Sequence, residues 1–149
     1  MKKLLLLNGP NINMLGKRDQ NIYGSFTLAE LETNIKLLVA EAGYELDCYQ
    51  SNHEGDLVDC LHNADCKYAG IIFNPAAYTH TSIALHDAIE AIQTPVIEVH
   101  ISNVHKREAF RHVSMTAPAC FGQIVGLGMD GYKLAAKALI DAFEREINL

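Results

Sequence analysis

Apolar residues recur along the chain in two alternating textures, short unbroken runs and longer stretches at helical spacing. Lys2 to Leu7 is a run without alternation, as expected for a strand covered on both faces. Residues 8–26 follow, too long for a simple connection, and such loops in compact domains usually carry function. Thr27 and Glu30 have the spacing of a capping box, and Leu28, Leu31, Ile35, Leu38, Val39 and Ala42 form one apolar stripe that ends at Gly43. A second strand spans about Tyr44 to Tyr49, and Ser51 or Asn52 is placed to cap a second helix through Leu57, Val58 and Leu61 to Ala64. Ala69 to Phe73 reads as a third strand ended by Asn74-Pro75, and a third helix runs from about Thr81 to Ile92. Val96 to Ile101 is a fourth strand, a fifth lies within Cys120 to Leu127, and Tyr132 to Ile147 is a terminal amphipathic helix.

Five alternations of strand and helix define a three-layer α/β sandwich with a parallel sheet. Five strands fit the flavodoxin-like order 2-1-3-4-5, in which ligands sit beyond the carboxyl ends of the strands, at the switch between strands one and three. A chain of 149 residues accommodates one such domain, 1–149, and buries roughly two-thirds of its unfolded surface. The loops at those strand ends carry Asn11, Arg18 and Tyr23, then Asn74 and His80, then His100, Ser102, Arg107 and Arg111. Only four arginines occur in a chain of net charge −6, so three on one rim mark a site for a small anion. The acidic balance argues against nucleic acid as a partner, since phosphates require a basic surface. No stretch approaches the roughly 18 apolar residues of a membrane span. Lys2-Lys3 and the four leucines after them imitate the start of a signal peptide, but the run breaks too early, at Asn8-Gly9-Pro10. Cys48, Cys60, Cys66 and Cys120 lack C-x-x-C spacing and read as reduced thiols, packed as small hydrophobes in a cytoplasmic protein.

The chemistry concentrates where strand four ends. Glu98 and His100 interrupt a β-branched run two positions apart, so they share a strand face, and a charge buried in a sheet is costly unless paired or used. His100 suits a general acid, because imidazole titrates near neutrality and a carboxylate favours its charged form. Glu98 is either that partner or the holder of an arginine, and a purely structural buried pair is the competing reading. Tyr23 taken alone is an amphipathic loop residue, but Arg18 lies in the same loop. Making a phenol, ordinarily titrating near ~10, into a base at neutral pH takes about 4 kcal/mol of phenolate stabilisation. One arginine at ~4 Å supplies about that much at an effective dielectric of ~20, before desolvation, so a second cation such as Arg107 helps. Backbone N–H groups of Ile101 and Ser102, with the side chains of Asn74 and Arg111, are donors for carboxylate or hydroxyl groups.

Other patterns carry less. Gly126 to Gly131 matches G-x-G-x-x-G, but no strand with an acidic residue follows ~20 positions on, so it reads as a tight strand-to-helix turn. Seven histidines occur without H-E-x-x-H or paired Cys/His spacing, which disfavours a metal site. His62, His86, His105 and His112 read as surface or packing residues, and His53 stays open. A receiver module needs acids where strand one ends in Asn8, and an FMN carrier needs a hydroxyl-rich loop where this chain has asparagines. A lyase acting on another hydroxy-keto acid is the alternative within the enzyme class.

Longer motifs are more specific. L-N-G-P-N-I-N-M-L-G-K-R at 7–18 with I-Y-G at 22–24, Q-S-N-H-E-G at 50–55, N-P-A-A-Y-T-H-T-S at 74–82, V-I-E-V-H-I-S-N-V-H-K-R-E-x-F-R-H at 96–112 and Q-I-V-G-L-G-x-x-G-Y at 123–132 together resemble the type II 3-dehydroquinate dehydratases. The resemblance implies a flavodoxin-like fold and a homo-dodecamer built as a tetramer of trimers. It implies cofactor-free and metal-free anti elimination of water from 3-dehydroquinate through an enolate, giving 3-dehydroshikimate in the shikimate pathway of aromatic amino acid biosynthesis. By resemblance Tyr23 is the base, Arg18 stabilises its phenolate and the enolate, His100 protonates the departing hydroxyl, and Asn11 helps hold a water at the enolate oxygen. Asn74, Ile101 and Ser102 correspond to carboxylate and ring contacts, and His80 and Arg111 to binders of the remaining hydroxyls. Asp87 corresponds to an acid reaching into a neighbouring subunit's site, and Glu98 and Arg107 to supporting positions. Asp19-Gln20-Asn21 departs from a frequent Glu-Pro, and 113–120 matches loosely. Both departures bear on a lid with Gly16 and Gly24 as hinges.

Overall fold

Four leucines in succession, Leu4 to Leu7, alternate in direction from the first strand, and both directions are filled. In the computed structural model, which describes residues 2–17 and 19–148, β1 (Lys3–Asn8) is the second strand of a five-stranded sheet. Leu4 and Leu6 pack with Leu31, Ile35, Tyr132 and Leu139, whereas Leu5 and Leu7 pack with Leu57, Leu61, Leu85 and Ile89. The first group comes from helices α2 (Leu28–Glu41) and α5 (Met129–Ile147), the second from α3 (Glu54–Ala64) and α4 (Ile83–Ala91). The unbroken apolar run is therefore a strand between two helical layers. Each fully buried leucine contributes roughly 1.5–3 kcal/mol relative to exposure.

β2 (Glu45–Gln50), β3 (Gly70–Asn74), β4 (Val96–His100) and β5 (Gly122–Val125) complete the sheet, with order β2-β1-β3-β4-β5 and every pair parallel. This is the flavodoxin-like arrangement, and it puts the carboxyl ends of β1, β3 and β4 side by side. Helix α2 is capped as its spacing predicts, with the Thr27 hydroxyl accepting the Glu30 N–H at 3.1 Å. Ser82 caps α4 in the same way, accepting from Leu85.

Three expectations need correction. Neither Ser51 nor Asn52 caps α3, whose N-cap is His53 without a side-chain bond. Ser51 Oγ instead accepts the His53 N–H, and Asn52 Oδ1 is taken by the Asn11 N–H at 3.0 Å. The stretch 8–26 is not without structure, since a 3-10 turn at Ile12–Met14 and a short helix α1 (Gln20–Tyr23) lie within it. Cys66 is exposed rather than packed, while Cys48, Cys60 and Cys120 are partly buried, and all four are free thiols.

Two glycines set how closely the loops approach. A Cβ at Gly9 would lie 2.5 Å from the Pro75 carbonyl oxygen, so only glycine lets the loops after β1 and β3 touch there. Gly126, at φ +87°, passes against Asn103, and the turn it opens donates from Gly126 and Gly128 to the carbonyls of His100 and Ile101. The glycine-rich segment is thus the strand-to-helix turn its sequence predicts, and it braces the end of β4.

Candidate active site

The parallel sheet delivers its loops to one rim, and there a cleft of about 110 Å³ opens, lined by Asn11, Tyr23, Asn74, His80, His100, Ile101, Ser102, Arg107 and Arg111. Asn11 stands in the left-handed region at φ 70°, a conformation asparagine tolerates better than most residues. Its backbone is tied to Asn52, and Gln50 Nε2 donates to both the Gly9 carbonyl and Asn52 Oδ1 at 3.1 Å. The segment after β2 is therefore a clamp on the loop after β1.

Tyr23 ends α1. Asp19 caps that helical turn by accepting from the Asn21 N–H, and Gly24, at φ +82°, turns the chain away. The Tyr23 side chain is buried, and the Arg107 guanidinium lies over its ring, 5.1 Å from the centroid. Arg107 is held in turn by a 3.1 Å bond from Nη1 to Ser102 Oγ. Arg18 lies outside the described residues.

Glu98 has no exposed surface, yet its carboxylate is fully served. Oε2 accepts from His100 Nε2 at 2.9 Å, Ser114 Oγ at 2.9 Å and Gln123 Nε2 at 2.7 Å, and Oε1 accepts from the Thr116 hydroxyl. Burial alone would push this acid up; the bonds from His100, Thr116 and Gln123, with the charge on His100, outweigh it and hold the carboxyl below its usual range. Glu98 is thus the histidine partner and not an arginine holder. Because Glu98 engages Nε2, Nδ1 is the His100 nitrogen left for the cleft.

His80 packs nearly parallel to His100, with ring centroids 6.4 Å apart. Its Nδ1 meets the Val113 carbonyl at 2.9 Å, and since a carbonyl only accepts, Nδ1 carries the proton. Burial pushes its titration down, as do the charges of His100 and Arg111, which leaves a neutral ring with Nε2 as an acceptor. Asn74 is fixed as well: Oδ1 accepts the Ala76 N–H, and Nδ2 donates to Tyr132 Oη at 2.8 Å, whose own hydroxyl donates to Asn8. One Asn74 N–H then remains as a donor. Arg111 binds Glu108 through Nε at 3.1 Å and lies over the Phe110 ring.

Eleven of the twelve residues singled out from the sequence have described positions, and nine of these line the cleft. Glu98 stands directly behind His100. Asp87 does not join them: it is exposed on α4, next to His86 and Glu90, and is not among the residues lining the cleft. Sequence reasoning missed Thr79, Ser114, Thr116 and Gln123 around Glu98, and Tyr132 behind Asn74. Thr79, Gln123 and Tyr132 lie inside the quoted motifs at 74–82 and 123–132 without a role read from them, and for Ser114 and Thr116 the signal was hydroxyl density in a loosely matching stretch, with nothing to say that it folds back on β4.

A phenol beneath a guanidinium, an imidazole backed by a carboxylate, and amide and guanidinium donors thus line one cleft of a flavodoxin-like fold, groups of the kind acid–base chemistry on a small anion requires. Residues 2–140 match the family model described as dehydroquinase class II, and the chain belongs to that family. It is 60% identical over 141 residues to a 3-dehydroquinate dehydratase of Bacillus mycoides, covering 95% of this chain and 97% of that protein. A 3-dehydroquinate dehydratase of Anoxybacillus flavithermus is also 60% identical, with 97% of each chain covered. Among solved structures, the type II dehydroquinase of Butyrivibrio crossotus superposes with a TM-score of 0.90 at 47% identity, over 92% of this chain and 96% of that one.

Proposed function

We propose that the chain is a 3-dehydroquinate dehydratase of the type II class, a hydro-lyase of the shikimate pathway. The observation that carries this is the meeting of Tyr23 and His100, from the end of α1 and the end of β4, across one cleft in a chain of this family. Removing water β to a ketone needs a base for a weakly acidic C–H, electrostatic support for an enolate and an acid for the departing hydroxyl. Tyr23 is the base, its phenolate favoured by Arg107 over the ring and by Arg18 from the same loop. The enolate oxygen takes a water held by Asn11. His100, its Nε2 anchored on Glu98, gives its Nδ1 proton to the leaving hydroxyl. Asn74, Ile101 and Ser102 bind the carboxylate end, while Arg111 donates to, and the neutral His80 accepts from, the ring hydroxyls. The electron pair passes from the broken C–H into the enolate and then out with the hydroxyl, so no cofactor is invoked and the same groups that start the cycle are restored by one proton shift.

The whole of 1–149 acts as one catalytic unit. It works as a cytoplasmic dodecamer, a tetramer of trimers, in which the exposed Asp87 reaches a neighbouring subunit's cleft. No helix among the described residues is long and apolar enough to cross a membrane. Purified protein treated with a chelator and given 3-dehydroquinate should generate the ultraviolet absorbance of a conjugated enone, and borohydride added with substrate should leave activity intact. Absence of the enone, or loss of activity with a lysine adduct, would overturn the reading.

A further inference from the structure

The buried hydroxyls behind the cleft do more than fill space. Glu98 is an acceptor only when ionised, so the hydroxyls of Thr116 and Ser114 must both point their protons at it. Each then has only lone pairs to offer Thr79, whose Oγ1 lies 2.6 Å from Thr116 Oγ1 and 3.0 Å from Ser114 Oγ. Thr79 therefore gives its one proton inward, at the shorter contact to Thr116, and those hydroxyls form a directed set ending on one carboxylate. Ser114 is itself fixed by the Ala117 N–H at 2.9 Å, and Thr116 is completely buried. The segment they occupy also supplies the Val113 carbonyl that sets the proton of His80. One short stretch thus orients both cleft histidines, one directly and one through Glu98.

We infer that Thr116 and Ser114 are positioning residues for the elimination, anchoring the Glu98 carboxylate so that His100 presents Nδ1 to the leaving hydroxyl. The inference rests on the dehydratase reading and adds two residues that never touch substrate. Losing one donor to a buried carboxylate leaves a charged group underserved, an effect large enough to move His100. The change falls on proton delivery, so it appears in kcat and not in substrate binding.

The test is a mutant cycle on the full-length enzyme. Thr116→Val, which keeps shape and removes the hydroxyl, should lower kcat about tenfold with KM within about twofold, and Thr116→Ser should recover most of the loss. In a Glu98→Gln background, Thr116→Val should cost less than about twofold, because its effect runs through the carboxylate. A wild-type kcat for Thr116→Val, a rise confined to KM, or an undiminished loss in the Glu98→Gln background would overturn the inference. Wild-type protein inactive on 3-dehydroquinate would instead overturn the functional reading. A crystal structure of the Ser114→Ala, Thr116→Val double variant decides the positioning claim without turnover. The Glu98 carboxylate should rotate and its 2.9 Å bond to His100 should break; an unmoved pair would refute the claim.

Discussion

Glu98 shows what one residue can impose on a site. A carboxylate inside a sheet is tolerated only with its acceptor positions filled, and here four donors from three segments converge on it. Its folded-state titration lies below its ordinary value of 4.5, so folding is favoured while the group is ionised. That contribution is fully present above about pH 4.5 and is lost as pH falls through the lower folded value. Glu98→Gln should therefore be less stable at neutral pH and show a shallower loss of stability on acidification. Circular-dichroism unfolding across pH 3 to 7 checks this, and parallel acid limbs for both proteins would contradict it. That Glu98 and His100 share a strand face was legible because strand alternation is a strict period of two, but the choice of His100 over an arginine as its partner came from the structure. The hydroxyls around Glu98 were not, because nothing local to 113–120 reveals a long-range fold-back onto β4.

At the scale of elements, the sheet was readable from the sequence and the loops were not. Leu4 to Leu7, Ile71 to Phe73 and Val96 to Val99 announce buried strands, and Thr27 announces a helix start. The turns at Ile12–Met14 and Gln20–Tyr23 escape such reading because they are too short to show a helical repeat, and the first also leans on a distant partner, Asn52, which accepts the Asn11 N–H. Packing between loops has the same origin. Gly9 passes so close to Pro75 that a methyl group has no room, and the Gly9 N–H bonds the Asn74 carbonyl at 2.7 Å. Gly9→Ala should destabilise the fold by about 1–3 kcal/mol and part the loops that carry Asn11 and Asn74. Urea unfolding reads the first effect, and a midpoint equal to that of the parent protein would count against this account of the β1–β3 approach.

For the whole molecule, topology does the gathering. A parallel 2-1-3-4-5 sheet sends the ends of β1, β3 and β4 to one rim, so residues as far apart in sequence as Tyr23 and Arg111 meet without any long excursion. Asp87 is exposed on α4 and is not among the residues lining its own cleft, so its proposed role requires a neighbouring copy. Twelve chains of 16.4 kDa should sediment as a particle of about 197 kDa, and a stable monomer with full activity would remove Asp87 from the site. The central claim, that Tyr23 starts the elimination which His100 completes, is tested most directly by the turnover of Tyr23→Phe on 3-dehydroquinate, with substrate affinity measured calorimetrically on the same protein. Loss of a positioned base predicts enone formation slowed by at least about 10²-fold at nearly unchanged affinity; turnover close to that of the parent enzyme would contradict it.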